Sequence, residues 1–240
     1  HRVDRRQRQM CIRDREACHE RGIRVTQSQG SGSATAELTL LLILAALRHL
    51  DAELSHMQQG LWQRTLGRQL RGRRLGILGL GRIGVQVASA AQALGAQVWA
   101  WGREGSQQRA QQHGWAFAPS RESFFADSDI VCILLRLNEQ TRSCVTAQDL
   151  AGMKSDAILV NTARAELIEP GALLHALKMG RPAQAAVDVY ESEPVLDPQH
   201  PLLQLPNCLC TPHLGFVEKD NYESYLGQAF DAINEHAKRH

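Results

Sequence analysis

Apolar and polar positions follow two rhythms along this chain. From about residue 74 onward, short unbroken apolar runs alternate with segments whose apolar residues recur at helical spacing. The runs predict strands at 75–78, 97–101, 130–135, 157–161, 185–189 and 208–210. The segments between them predict helices at 83–94, 106–113, 122–126, 147–153 and 170–179. A strand that is apolar at every position is covered on both faces, so the pattern predicts a parallel sheet sandwiched by helices. Ahead of it a long helix is expected to open at Ser33 or Thr35, with Glu37 placed as in a capping box. It runs through Leu38, Leu42, Leu50 and Leu54 to about Gly60. Its first half is apolar nearly all round, which predicts burial, in part against a second subunit. A final amphipathic helix is expected over 217–236. Residues 1–15 are Arg- and Gln-rich and lack any hydrophobic period. The string 10–15 resembles a translated sequencing adapter, so these residues read as a non-native leader and the native sequence is expected to start near Glu16.

Composition excludes more than it selects. Apolar and charged shares of 43% and 22% are those of an ordinary globular chain, and 240 residues suffice for one large domain, or one plus part of a second. A net charge of +2 is too small to point to nucleic acid. The apolar stretch 38–47 ends at Arg48, His49 and Asp51, too short to span a bilayer. The six cysteines form no C-x-x-C and no His cluster has zinc-ligand spacing, so no metal site is expected. Cys132, Cys208 and Cys210 lie in apolar runs, where Cys acts as a small hydrophobe. No signal peptide is evident, and the chain reads as reduced and cytoplasmic.

The most specific chemistry follows the first predicted strand. Residues 75–84 read LGILGLGRIG: an apolar run, then Gly79, Gly81 and Gly84 in G-x-G-x-x-G order, then a helix-forming segment. Strand, tight turn and helix N-terminus together form the place where a dinucleotide pyrophosphate rests on backbone N–H groups. Gly79 would make the turn, Gly81 admit the pyrophosphate and Gly84 let helix and strand pack. The fold class that follows is α/β, a Rossmann-type doubly wound parallel sheet. The second strand of such a sheet should end in an acid that binds the ribose 2′-hydroxyl. Here Gly102 stands in its place, followed by Arg103, whose planar fork suits a 2′-phosphate. Glu104 could turn inward and restore the other preference, so NAD and NADP both stay open.

Three later phrases each follow a predicted strand and so lie at the carboxyl edge of the sheet: 160–167 (VNTARAEL), 186–194 (AVDVYESEP) and 210–215 (CTPHLG). Hydride transfer to a 2-oxo acid puts negative charge on the carbonyl oxygen. A protonated His supplies the proton, and a carboxylate beside it stabilises the imidazolium. An Arg clamps the substrate carboxylate and polarises the carbonyl. His213, Glu193 and Arg164 suit those three roles.

These phrases resemble the D-isomer-specific 2-hydroxyacid dehydrogenase family, the group that includes phosphoglycerate, glycerate, lactate and formate dehydrogenases. The resemblance extends over about 16–238 and takes in Thr35-Ala36-Glu37-Leu38, the turn Gly60-x-Trp62 and Thr141-Arg142. It implies an NAD(P)-dependent bacterial oxidoreductase interconverting a small 2-oxo acid and its (R)-2-hydroxy acid. Arg164 would bind substrate, Glu193 would pair with the base, and His213 would be the acid/base. Arg82 and Ile83 would meet the pyrophosphate, Thr162 and Ala163 the nicotinamide side, and Asp188 the carboxamide, with Gly215 counted among the cofactor residues. Glu193 argues against the formate dehydrogenases, which place a neutral amide there.

The chain also departs from the family pattern. A usual His-x-Pro is absent near 134–136, which is expected to loosen the loop over the adenosine side. Ala165 replaces a usual Gly and is expected to strain the turn after Arg164. Residues 216–219 resemble a bacterial subgroup of undefined substrate. The glycine loop also comes too early, because in the family a substrate domain precedes it. The expected organisation is therefore a substrate-domain remnant and connecting, dimerisation helix over 16–70, the NAD(P)-binding domain over 71–215, and a C-terminal helix over 216–240 returning towards a mostly missing substrate domain. A homodimer is expected, with neither nucleic acid nor membrane as partner. The competing readings are a corepressor-like nucleotide-binding protein and an inactive, truncated cofactor-binding module.

Overall fold

Seven parallel strands form the centre of the computed structural model, which describes residues 17–23, 25, 30 and 32–238. They are β1 (Arg74–Leu78), β2 (Gln97–Trp101), β3 (Ala116–Phe117), β4 (Ile130–Ile133), β5 (Ile158–Asn161), β6 (Gln184–Val187) and β7 (Cys208–Cys210). Their spatial order is β3-β2-β1-β4-β5-β6-β7. The direction of winding reverses between β1 and β4, where Leu75 pairs with Ile130 and Ile77 with Cys132. Every residue of β4, β5 and β6 is buried, the burial that their apolar runs predict, and it takes in Asn161 and Gln184 at the strand ends. Six strands stand where the hydrophobic pattern places them, within a residue or two at each end. β3 was not expected: two residues are too few to carry a period.

Helices cover both faces. On one, α1 (Ser33–Leu47), α3 (Arg82–Ala93) and α4 (Glu104–Gln112) enclose a core of Leu42, Ile43, Leu75, Ile77, Val87 and Ile130. On the other, α5 (Arg121–Asp127), α6 (Ala147–Gly152) and α7 (Ala172–Lys178) enclose Phe124, Phe125, Leu150, Leu159, Leu173 and Leu177. Ser120 and Thr146 start α5 and α6 with side-chain caps, each accepting from the backbone N–H three residues on.

The single long helix expected before the sheet is two helices. α1 stops at Leu47, and α2 (Leu50–Gln58) leaves at 63°. His49 makes the break in left-handed conformation, at φ 50°. Nor does a capping box open α1. Gly32 is its N-cap, and the Thr35 hydroxyl donates instead to the Gly215 carbonyl at 2.7 Å. No single described helix is long and apolar enough to cross a membrane.

The chain divides into two units, Gly32–Gly215 and a second made of Phe216–His240 with the residues up to Ser31. In the second unit α8 (Lys219–Ala237) begins at Glu218, whose carboxylate accepts from the N–H groups of Asp220 and Asn221. Tyr222, Leu226, Phe230 and Ile233 form an exposed stripe along it. The leader expected over 1–15 lies outside the described residues.

Candidate active site

The turn after β1 supplies the first part of the site, and its three glycines answer to three different constraints. Gly79 has φ 96°, and a Cβ there would stand 3.0 Å from the Leu135 backbone nitrogen. At Gly84 a Cβ would lie 2.6 Å from the Gly79 carbonyl oxygen and 3.2 Å from Ile77 Cγ2. Gly81, the N-cap of α3, faces open space, with nothing within 4 Å of the Cβ position and no side chain capping the helix. The first turn of α3 thus presents backbone N–H groups towards a space that any side chain at 81 would fill. That cradle fits a pyrophosphate. Arg82 is exposed at its rim, and Ile83 is half-buried beside Gly32.

The end of β2 forms the adjoining wall. Trp101 O accepts from Gly79 N at 3.0 Å, which brings Gly102 next to the glycine turn. A Cβ at Gly102 would lie 2.7 Å from Ser106 Oγ. The Ser106 hydroxyl accepts from Leu80 N at 3.3 Å, and Arg109 donates to the Leu80 carbonyl. Arg103 is exposed and donates to Gln140 Oε1 at 2.6 Å, while Glu104 accepts from Gln108 within α4. The loop after β4, where the expected proline is absent, is held by side-chain hydrogen bonds. Thr141 Oγ1 donates to Arg136 O, and Asn138 Oδ1 accepts from the N–H groups of Gln140 and Thr141. Ser106, Arg109 and Gln140 escaped sequence reasoning, because nothing local marks their partners.

The ends of β5, β6 and β7 bring the remaining residues to one edge. Asn161 closes β5, and its side chain holds the next turn at both ends: Oδ1 accepts from Ala163 N and Nδ2 donates to Arg164 O. Arg164 is exposed and donates to the Ala163 carbonyl at 2.6 Å. Ala165 begins a short 3₁₀ turn (Ala165–Leu167) and is not among the described non-glycine residues with positive φ, so the expected strain is absent. Thr162 is buried and shares a hydrogen bond of 2.7 Å with Thr39 of α1, a residue the sequence did not single out.

His213 and Glu193 meet directly: His213 Nδ1 lies 2.7 Å from Glu193 Oε2. The other carboxylate oxygen, Oε1, accepts from Tyr190 N at 2.8 Å. The backbone of His213 is left-handed at φ 53°, one of four described non-glycine residues in that region. Such a conformation persists only where its surroundings hold it. Asp188 does the holding. Fully buried at the end of β6, it accepts from Thr211 Oγ1 at 2.6 Å and Leu214 N at 2.7 Å on one oxygen, and from Gly215 N at 2.9 Å on the other. Both flanks of His213 are therefore tied to one carboxylate. A Cβ at Gly215 would press on Asp188 Oδ2 at 3.2 Å.

A carboxylate-held imidazole, an exposed guanidinium and a helix N-terminus behind a glycine turn now lie along one edge of a parallel sheet. Comparison with known proteins places the chain in a family. Residues 40–215 match the D-isomer specific 2-hydroxyacid dehydrogenase, NAD binding domain. The chain belongs to that family. It is 40% identical to a glyoxylate reductase of Aeropyrum pernix over 86% of this chain and 64% of that protein. Identity is 36% to 4-methyl-2-oxopentanoate reductase A of Aspergillus oryzae, over 84% and 61% respectively. A phosphoglycerate oxidoreductase structure from Vibrio cholerae O395 superposes with a TM-score of 0.89 at 46% identity, covering 94% of this chain and 73% of that one. The chain thus spans less than two thirds of the length of these two curated relatives. The matched region is the family's NAD-binding part, and members of the family act on small 2-hydroxy or 2-oxo acids.

Proposed function

We propose that this chain carries the catalytic half of an NADPH-dependent reductase that converts a small 2-oxo acid to its (R)-2-hydroxy acid. The observation that carries this reading is the 2.7 Å contact of His213 with Glu193 at the sheet edge that also presents Arg164. Bound NADPH supplies the hydride. His213 supplies the proton: with Nδ1 committed to Glu193, transfer runs through Nε2, and the carboxylate stabilises the imidazolium. Arg164 clamps the substrate carboxylate. Asp188 orients the His213 turn and, with Thr162, Ala163 and Gly215, borders the nicotinamide, while Gly79, Gly81, Arg82, Ile83 and Gly84 receive the pyrophosphate.

NADPH is favoured over NADH by three observations. Gly102 leaves no carboxylate to repel a 2′-phosphate. A Cβ at 102 would press on Ser106 Oγ at 2.7 Å, so the position resists any side chain, an acid included. Glu104 is tied to Gln108 along α4 rather than turned towards the site. Arg103 then pairs with the phosphate. The expected result, with the complete gene product and a panel of 2-oxo acids that includes glyoxylate and 4-methyl-2-oxopentanoate, is NADPH oxidation with kcat/KM at least about tenfold above that for NADH, one charge-assisted contact's worth. Arg103→Ala should erase the difference. Oxidation of neither cofactor with any acid would favour a nucleotide-sensing, corepressor-like role; equal rates with both would remove Arg103 from the site.

The reading includes a homodimer in a reducing, cytoplasmic setting. Leu41, Leu50, Leu54, Met57 and Trp62 leave a run of apolar surface exposed along α1, α2 and the turn beyond. A symmetric pair would cover it. Light scattering after size exclusion should give twice the chain mass for the complete gene product, and Leu54→Glu with Met57→Glu should give the monomer. A monomeric parent would refute the dimer. The apolar stripe of α8 is proposed to pack on the substrate domain.

A further inference from the structure

The edge strand β7 carries two thiols on one face. Cys208 Sγ and Cys210 Sγ lie 3.7 Å apart. Cys208 is buried and Cys210 is half-buried. The Tyr190 hydroxyl lies beside Cys210 and donates to Thr211 O at 3.0 Å. Neither cysteine has a part in the hydride-transfer reading, yet Cys210 lies three residues before His213 in the turn that Asp188 pins.

We propose that Cys208 and Cys210 form a peroxide-sensitive dithiol, oxidised to an intrastrand disulfide that perturbs the His213 turn. The partly accessible Cys210 thiolate attacks hydrogen peroxide, giving Cys210 sulfenic acid and hydroxide. The Cys208 thiol then displaces that hydroxyl as water, forming the Cys208–Cys210 bond; the two thiols are oxidised and the peroxide is reduced to water. The environment separates the two roles. The hydrogen bond shared with the Cys208 thiol, against the effect of burial, holds the Cys210 thiol below its ordinary range. The same bond to Cys210, followed by burial, pushes Cys208 up. Elsewhere, Cys132 is pushed up by complete burial, and Cys144 by burial opposed in part by Arg121.

Closing the bond brings the sulfurs to about 2.05 Å and favours a Cα separation of about 5.5–6 Å. Residues two apart in a strand stand about 6.6 Å apart. Closure therefore favours shortening of β7 next to Thr211, whose N–H bonds Val187 O at 2.9 Å and whose side chain bonds Asp188. That pull reaches the Leu214 and Gly215 amides on the same carboxylate.

The test treats the chain with hydrogen peroxide, alkylates the remaining thiols and maps peptides by mass. The expected result is joint loss of alkylation at Cys208 and Cys210, a peptide over 208–210 lighter by two hydrogens, and full reversal by dithiothreitol. Amide exchange at Leu214 and Gly215 should rise on oxidation and return on reduction. Cys210→Ser should leave Cys208 alkylatable after peroxide. Cys208→Ala should give a dimedone-trapped sulfenic acid at Cys210. The proposal falls if Cys210 stays alkylatable, if it passes to sulfinic acid while Cys208 remains a thiol, if either pairs with another cysteine, or if the disulfide forms without changing exchange at Leu214 and Gly215. None of these readouts depends on the dehydrogenase reaction, so they stand or fall separately from it.

Discussion

His213→Ala in the complete gene product should lower turnover by about 10²–10⁴-fold while leaving cofactor affinity unchanged. The imidazole is held by Glu193 at 2.7 Å, and its backbone is fixed from both sides through Asp188. The substitution therefore removes a proton donor that its surroundings hold in place. The affinity should hold because the glycine turn lies several strands away, at the ends of β1 and β2. Stopped-flow reduction of a 2-oxo acid measures the first quantity and nicotinamide fluorescence titration the second. Near-normal turnover would take His213 out of the acid/base role. A parallel loss of cofactor binding would recast it as structural.

Replacing Gly84 by Val should damage cofactor binding and stability together. Its Cβ would fall 2.6 Å from the Gly79 carbonyl oxygen, a backbone atom, so α3 or the turn must move. Overpacking of this kind costs about 1–3 kcal/mol of stability. Displacing a backbone donor from the pyrophosphate removes a charge-assisted hydrogen bond of about 1.5–3 kcal/mol, or roughly 10- to 100-fold in Kd. Gly81→Ala makes the contrast. Its Cβ enters open space, so Tm should stay put while affinity falls. Calorimetry with fluorescence titration separates the two variants. If Gly81→Ala binds as well as the parent, the pyrophosphate does not sit over that residue.

Much of this arrangement is legible along the chain. Six of the seven strands follow from runs such as Ile130–Ile133, since burial on both faces favours apolar residues at nearly every position. Because each strand delivers its following residues to the same edge, Arg164, Glu193 and His213 could be placed near one another before any distance was known. The glycine spacing could be given its three separate reasons for the same cause: turn, approach and packing are local demands on single residues.

Other features depend on partners far away in sequence. α1 looked continuous with α2 because its apolar period runs on, but His49 breaks it in left-handed conformation. Glu37 looked like part of a capping box, whereas Thr35 is drawn to Gly215, 180 residues later. Thr39 and Thr162 meet across 123 residues. Asp188 could be named by resemblance, yet only the fold shows it tying both flanks of His213. Glu104 could have faced either way; its bond to Gln108 aligns it with α4. Near-neighbour periodicity and backbone conformational limits determined the parallel sheet, the phosphate turn and the sheet edge that collects the reacting groups. The pairings that orient those groups were decided by tertiary structure, because a hydrogen bond between distant residues leaves no trace in the local pattern of either.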